Sequence, residues 1–533
     1  MRERAPISSS APDREALLAR LAREGFDLLV VGGGITGAAV AHAAVRRGLR
    51  VALAEQNDFA SGTSSRSSRL IHGGLRYLKH GHVRLVYRCL REQQRLAGLA
   101  PHLVRPLSLL LPLYRQSASR LWAHRGGMAL YRALQPARSG VFHELMDAHT
   151  LLGHEPLLPS EDLQGGFLCR EYLTHDARLV WETVLAATHS GACALNYVRL
   201  VEFLTTARGR VVGGVLCDEL TGRTMEVRAK VLVNTTGPWS DRLTSRINAS
   251  TRRLRLTKGV HLIMPRKMLP LSQAVVLFSP TDRRPLVAIP TENLVIVGPT
   301  ETEYEGEPGE AQPEAHDIAY LLEALWDAFP DCDVTQQDVL ARAGLRSLYD
   351  QSKGKPAGEV SRAYHIEWHR EGLLSVLGGK LTLHRQAAAA ALNVLSRSSS
   401  LLSADDRLPA RASDPLQLPG AVWACSPLSV TEKLLEAGVA LHSVEHLLRT
   451  YGSRAHLFIE LLAEEPQGRE LIAPPLPHIR AEAIFSQRFE MAVCVQDFLE
   501  RRSDLALRAK MEGLDIELES LWSASQANTV AYV

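Results

Sequence analysis

Asp27-Leu28-Leu29-Val30-Val31-Gly32-Gly33-Gly34-Ile35-Thr36-Gly37-Ala38-Ala39-Val40 is the stretch that decides the fold. Its first five residues read as a short apolar strand. Gly32-x-Gly34-x-x-Gly37 follows at once, then an Ala/Val-rich helix, Arg46-Arg47-Gly48, and a second strand ending on Glu55. Each glycine has a mechanical reason. Gly32 permits the tight turn out of the strand, Gly34 lets the backbone approach a pyrophosphate, and Gly37 lets the new helix pack closely on the sheet. Glu55 falls where a carboxylate accepts ribose hydroxyls. A bare G-x-G-x-x-G is weak, but here the preceding strand, the following helix, Gly48 at the helix end and the acid about twenty residues downstream meet the context test. The expectation is a bound dinucleotide on an α/β sheet.

Length and composition set the frame around that unit. A chain of 533 residues is too long for one core and suggests two or three domains. Hydrophobic residues at 46% and charged residues at 22% are ordinary for a soluble globular protein. A net charge of +3 gives no reason to expect nucleic acid. Seven scattered cysteines, with no C-x-x-C pair and an odd total, argue against a disulfide framework or a metal site and fit a reducing compartment. The apolar run from Leu28 to Val45 carries four glycines and turn chemistry, so it is not a membrane span. The first 25 residues lack an apolar signal core and read as an N-terminal extension.

Beyond Glu55 the chain runs Thr63-Ser64-Ser65-Arg66-Ser67-Ser68-Arg69-Leu70-Ile71-His72-Gly73-Gly74-Leu75-Arg76-Tyr77-Leu78, too polar for a buried third strand. It reads as a loop and helix start able to donate hydrogen bonds to phosphates, then a turn carrying His72 and Arg76. Further along stand Thr174-His175-Asp176-Ala177-Arg178-Leu179, Asn234-Thr235-Thr236-Gly237-Pro238-Trp239, Lys258-Gly259-Val260-His261-Leu262, Gly298-Pro299-Thr300-Glu301, Gly344-Leu345-Arg346 and Gly378-Gly379-Lys380-Leu381-Thr382. In these motifs and their order, nearly the whole chain after residue 26 resembles the FAD-dependent, respiratory glycerol-3-phosphate dehydrogenases of the glycine/D-amino-acid oxidase superfamily.

The resemblance implies a Rossmann-like FAD-binding domain interleaved with a β-rich substrate domain, and an all-α C-terminal domain. The substrate parts are expected at roughly 105–172 and 250–340, within a flavin domain spanning 26–400. Alternating runs at Val198–Leu204, Val211–Leu216 and Val227–Val233 are expected strands of the flavin domain. The Ser-rich and Pro-containing stretch 401–420 reads as a linker, and 421–533 as helical, with Val444, Leu447, Leu448 and Tyr451 on one helical face. A helix over about 82–97 puts Arg84, Arg88, Arg91 and Arg95 on one face. A solvated face is the ordinary reading, and contact with acidic lipid headgroups is the sharper one.

By the resemblance, FAD is the cofactor, held by Gly32, Gly34, Gly37, Glu55, Thr63, Ser64, Ser65, Ser68, Leu70, Leu200, Thr236, Gly237, Trp239, Gly379, Lys380 and Leu381. Oxidising a secondary alcohol requires removal of the hydroxyl proton and transfer of hydride from the same carbon. A phosphorylated substrate adds a cluster of cations, for which arginine's planar fork is best suited. Arg76, Arg346, Arg362 and Lys380, joined by Tyr77, are the residues expected there. His72 and His261 are the candidate bases, an unperturbed pKa of roughly 6.5 suiting either. His72 is favoured, with His261 orienting the substrate and Lys380 also available to stabilise developing negative charge. Glu301, Ser347 and His384 depart from the family pattern in the substrate pocket.

The expected reaction is oxidation of sn-glycerol 3-phosphate to dihydroxyacetone phosphate, with electrons passed to a membrane quinone. The alternatives are a glycerol-3-phosphate oxidase using oxygen, a related amine or 2-hydroxy-acid oxidoreductase, and a flavin-binding sensor or scaffold without turnover. The expected setting is cytoplasmic, peripheral on the inner membrane, with a homodimer left open and no metal.

Overall fold

The structure is a computed structural model that describes residues 13–115, 121–135, 144–247, 253–349, 360–397, 417–517 and 521–522. The chain forms two compact units, one of Met1–Ser65, Asp176–Leu254 and Tyr364–Val533, the other of Arg66–His175 and Arg255–Ala363.

The first unit is built on β1 (Phe26–Val31) and β2 (Val51–Ala54), bracketing α2 (Ile35–Val45). All six β1 positions are buried, as a central parallel strand covered on both faces requires. On either side of β1 lie β2 and β10 (Thr224–Asn234), both parallel to it, with Leu28 opposite Val51 and Val231. The sheet continues beyond β2 to β7 (Cys193–Leu195) and beyond β10 to β18 (Leu373–Gly378), both parallel, and closes with the antiparallel β17 (Tyr364–Arg370). The runs expected as strands form β8 (Val198–Thr205), β9 (Val211–Asp218) and β10, paired antiparallel as a ribbon, and the short α7 (Ser240–Ser245) follows β10. The Ala-rich α2 is nearly apolar all round because it packs between α6 (Asp176–His189) and α9 (His384–Arg397).

The stretch expected as an N-terminal extension contributes α1 (Arg14–Arg23), which buries Leu17, Leu18 and Leu21 in the core of this unit. Its Leu spacing makes one apolar face, which the sheet covers. The expected linker over 401–420 lies outside the described residues as far as residue 416. After it come α10 (Pro427–Glu436), α11 (Leu441–Tyr451), α12 (Leu457–Glu464), α13 (Arg480–Phe489), the short α14 (Val495–Asp497) and α15 (Leu505–Glu512). This region is all-α, with a core of Tyr451, Phe458 and Phe485, whose rings lie 4.8, 5.2 and 4.5 Å apart. It belongs to the same compact unit as the flavin-type sheet, because buried ion pairs join the two.

The second unit is a mixed sheet of ten strands among the described residues. Its spine runs β15 (Thr302–Tyr304), β11 (Leu254–Pro265), β14 (Leu294–Gly298), β13 (Pro285–Pro290), β12 (Ala274–Phe278), β4 (Arg105–Tyr114), β6 (Leu163–Leu173) and β3 (Leu70–Ile71). β16 (Leu340–Tyr349) joins β11, and β5 (Glu144–Met146) joins β6. A core of Leu262, Val275, Leu286, Val295, Leu321 and Leu325 is shared with α8 (Ala315–Ala328). The basic helix is observed as α3 (Val83–Leu99), burying Val86 and Leu90 against Leu111 and Phe167; α4 (Leu121–Ala133) and α5 (Ala148–His154) complete the unit. The polar segment after Glu55 holds only the two-residue β3 and the turns Thr63–Ser65 and Leu75–His80.

Candidate active site

In the first unit, β1, β10 and β18 are parallel, so the loops leaving them emerge at one edge of the sheet. Three of the sequence motifs meet there: Gly32–Gly37, Asn234–Trp239 and Gly378–Leu383. Gly32 has φ +106°, and a Cβ on it would stand 2.7 Å from the Thr235 carbonyl oxygen. A Cβ on Gly37 would lie 1.8 Å from the Gly32 carbonyl oxygen, so only glycine allows α2 to begin this close to the strand. Gly34 is the N-cap of α2 and faces Ser64, whose Oγ accepts the Ile35 amide at 3.0 Å. This cradle, floored by glycines at a helix N-terminus, fits a dinucleotide pyrophosphate.

Gly33, an unspecified position of the fingerprint, proves as constrained as its neighbours. Its amide donates to Glu55 Oε2 at 2.6 Å, and a Cβ would meet Phe59 at 2.6 Å and Glu55 Cβ at 2.7 Å. The other Glu55 oxygen accepts the Asn57 amide at 3.0 Å. Burial pushes the Glu55 carboxyl up to about 7, against the pull of these two amides. A sequence clue existed in the bulk of Phe59, but only the fold shows what it presses on.

On the β10 loop, the Thr236 amide and hydroxyl both donate to Asn234 Oδ1, at 3.1 and 2.7 Å, and Gly237 takes φ +56°. The ring of Trp239 lies over Gly62, beside the turn of Thr63, Ser64 and Ser65. On the β18 loop, Gly379 has φ +105° and Lys380 precedes the turn of Leu381, where His384 Nδ1 donates to the Leu381 carbonyl at 2.7 Å. The side chain of Leu200 is buried in the core against Gly214.

In the second unit, β3 pairs with β6, Ile71 opposite Tyr172, and so delivers His72 and Gly73 beside Glu171. The Gly73 amide donates to Glu171 Oε2 at 3.0 Å, and the Tyr131 hydroxyl donates to Oε1 at 2.6 Å. A Cβ on Gly73 would stand 2.1 Å from that hydroxyl. Glu171 and Tyr131 therefore fix the turn that carries His72, which sequence reading missed because neither lies in a motif. His72 is half-buried, its ring centroid 6.5 Å from that of Tyr77. Arg76 lies on the same turn, and its side chain is outside the described residues.

Ser68 Oγ and His261 Nε2 are 2.8 Å apart. Burial, then the positive charges of Arg346, Arg342 and Arg69, hold the His261 imidazole down to about 3. The guanidinium of Arg346 lies over Gly259, where a Cβ would come within 2.6 Å of it, and its Nη1 donates to the Thr300 carbonyl at 3.2 Å. Thr300 is itself fixed: its Oγ1 accepts the Val260 amide at 2.9 Å and donates to Asp317 at 3.2 Å, and Asp317 pairs with the buried Lys258 at 2.8 Å. Arg346 and Arg362 converge on Glu301, at 3.8 Å for Arg346 and in direct contact for Arg362. Arg284, not anticipated from sequence, joins them on the same carboxylate. Among the described residues, three guanidiniums thus gather on this one carboxylate. Leu70 sits in β3, and Lys380 belongs to the first unit.

None of the seven cysteines forms a disulfide. Among the described residues no group of side chains is arranged to hold a metal ion, and no helix is long and apolar enough to cross a membrane.

Comparison with known proteins agrees with this geometry. Residues 27–385 match the family described as FAD dependent oxidoreductase, and residues 412–519 match the C-terminal domain of alpha-glycerophosphate oxidase. The aerobic glycerol-3-phosphate dehydrogenase of Bacillus subtilis is 34% identical over 504 residues, covering 93% of this chain and 90% of the relative. That of Staphylococcus haemolyticus is 33% identical over 507 residues with the same coverage. The X-ray structure of the glycerol-3-phosphate dehydrogenase from Bacillus halodurans, complexed with FAD, superposes with a TM-score of 0.75 at 30% identity, covering 94% of this chain and 92% of that one. A glycine oxidase from Geobacillus kaustophilus, at 20% identity and a TM-score of 0.54 over 72% of this chain and 99% of its own, shares the fold. The chain is an FAD-dependent oxidoreductase and belongs to the family of the aerobic glycerol-3-phosphate dehydrogenases.

Proposed function

We propose that this protein oxidises sn-glycerol 3-phosphate to dihydroxyacetone phosphate and passes the electrons to a membrane quinone. The observation that carries the reading is the arginine cluster: three guanidiniums gathered around Glu301 among the described residues offer the planar, bidentate donors that suit a phosphate dianion, more than the single carboxylate of an amino or hydroxy acid requires. FAD, when bound, supplies the two-electron acceptor for the hydride leaving the alcohol carbon. The residues of this chain do the rest. Arg346 and Arg362, with Arg76, Tyr77 and Lys380, grip the phosphate and orient the alcohol. His72 takes the hydroxyl proton as the hydride departs. His261, whose burial and neighbouring arginines push its imidazole down to about 3 and so make it the weaker proton acceptor, orients the substrate through a hydrogen bond. The cofactor is held by Gly32, Gly34, Gly37, Glu55, Thr63, Ser64, Ser65, Ser68, Leu70, Leu200, Thr236, Gly237, Trp239, Gly379, Lys380 and Leu381.

The test is anaerobic bleaching of the bound flavin. Glycerol 3-phosphate should reduce it rapidly, and glycerol and a panel of amino and 2-hydroxy acids should not. Reduction by an amino acid instead would overturn the reading. Reoxidation by a soluble quinone analogue, compared with oxygen, identifies the acceptor; the match of residues 412–519 to an oxidase's C-terminal domain is the reason to run both.

The quinone acceptor implies a site on the cytoplasmic face of the membrane. The exposed Arg84, Arg91 and Arg95 of α3, interleaved with the exposed Val83 and Tyr87, give a basic face with apolar content suited to anionic lipid.

A further inference from the structure

The C-terminal helices carry no motif of flavin or alcohol chemistry, yet they hold the turn on which Glu55 sits. Three residues after Glu55, the buried Asp58 accepts Arg502 Nη1 and Nη2 at 2.7 and 2.8 Å and Arg501 Nε at 2.6 Å. Asn196 Nδ2 bridges Asp58 Oδ1 and the Met491 carbonyl, both at 2.9 Å. The next residue, Tyr197, donates its hydroxyl to Asp497 at 2.7 Å, and Asp497 also pairs with Arg501 at 2.6 Å. Tyr197 and Val198 in turn bond the turn's backbone, Tyr197 N to Asn57 O at 2.9 Å and Val198 N to Glu55 O at 2.7 Å. The segment behind Glu55 is thus held through both its side chains and its main chain.

Charge shows that the two parts are made for each other. In the buried network the flavin-domain side brings two carboxylates, Asp58 and Glu182, and one guanidinium, Arg178, a net −1. The C-terminal side brings three guanidiniums, Arg454, Arg501 and Arg502, and two carboxylates, Glu490 and Asp497, a net +1. Glu500, on Arg501 at 3.0 Å, is half-exposed, so among the buried groups neither side balances alone, and an uncompensated buried charge is strongly unfavourable. Arg502 also lies over the Trp181 ring at 4.8 Å, and that ring meets Phe59, which presses on Gly33.

We infer that the C-terminal helical region is part of the flavin-binding machinery, with Arg501 and Arg502 acting as positioning residues for the turn Glu55–Ala60 and hence for the adenosine half of FAD. The inference rests on the assignment of Glu55 to that half.

Affinity of the full-length apoprotein for FAD and for ADP, the latter a probe of the adenosine half alone, tests it. Arg501→Gln should weaken both by the same factor, about tenfold or more, as loss of a charged hydrogen bond implies, and Arg501→Lys should recover most of it. Arg454→Gln, at the far end of the network and not bonded to Asp58 or Asp497, should lower the melting temperature but leave both affinities within about threefold. If Arg501→Gln does not fold, Tyr197→Phe removes only the hydroxyl on Asp497 and should weaken ADP about threefold or more. Unchanged ADP binding in the variant measured, or an equal loss in Arg454→Gln, overturns the inference and leaves a network that serves stability alone. Glu55→Gln separates the two readings. If it weakens ADP while Arg501→Gln does not, this inference fails alone; if it leaves ADP unchanged, the Glu55 assignment fails and the inference falls with it.

Discussion

Ser68 Oγ stands 2.8 Å from His261 Nε2, and the imidazole at that contact is held neutral, its pKa pushed down to about 3. Because the folded-state value lies below the ordinary value of roughly 6.5, the folded protein binds fewer protons than the unfolded chain between the two. The stability tied to this histidine is present above pH 6.5 and is lost as pH falls toward 3. His261→Gln lacks that dependence. Its melting temperature should therefore move closer to that of the wild type as pH is lowered from 7 to 5, and a gap that widens would be inconsistent with a neutral buried His261. The pH profile of flavin reduction between pH 5 and 9 should keep its shape in the variant.

His72→Asn should slow flavin reduction at saturating substrate by about a hundred to ten thousand fold, the usual range for removing a general base. Bound FAD should remain. Rapid mixing under anaerobic conditions measures it, and a greater loss in His261→Gln would reverse the two roles.

Glu171 holds the His72 turn through the Gly73 amide and the Tyr131 hydroxyl. Tyr131→Phe leaves the carboxylate one donor short and should cost about 1–3 kcal/mol of stability, read from chemical denaturation. Its reduction rate should fall at saturating substrate while KM changes little, since the phosphate cluster around Glu301 is untouched. A change confined to KM would place Tyr131 with substrate binding instead.

Arg346→Ala should lower kcat/KM for glycerol 3-phosphate by about ten to a hundred fold, the scale of a lost charge-assisted contact, with normal flavin content. Glu301→Gln removes the only carboxylate shared by Arg284, Arg346 and Arg362 among the described residues and should alter KM more than kcat. Steady-state kinetics at several glycerol 3-phosphate concentrations check both. Unchanged kinetics below saturation in Arg346→Ala would remove that residue from the site.

Replacing Arg84, Arg91 and Arg95 together by Gln should reduce co-sedimentation with anionic vesicles by an amount corresponding to about 1 kcal/mol per residue, and added salt should have a similar effect on the wild type. Flavin reduction in solution should not change. Equal vesicle binding by both proteins would leave the α3 face as a solvated surface.

The sequence alone was sufficient for the dinucleotide fold, because its determinants are local. Gly32, Gly34 and Gly37 stand in one strand-turn-helix, where the 1.8 Å clash of a Cβ on Gly37 with the Gly32 carbonyl is local, while the 2.7 Å clash at Gly32 is with Thr235 of the neighbouring β10 loop. The strands at 198–205, 211–218 and 224–234 and the apolar face of α11 were legible for the same reason, a period of two or 3.6 residues written in the chain. Relations between distant residues were not. Glu171 lies 98 positions from Gly73, Asp58 lies 444 from Arg502, and Arg284 reaches Glu301 only because β13 and β14 are neighbours. Ion pairs have no sequence period, and whether an arginine is a solvated charge, a buried clamp such as Arg178 or a member of an anion cluster depends on what the fold places opposite it. The tertiary structure therefore decided that His261 is buried among arginines, which carboxylate gathers the arginines, and that α1 and the C-terminal helices belong to the flavin-binding unit.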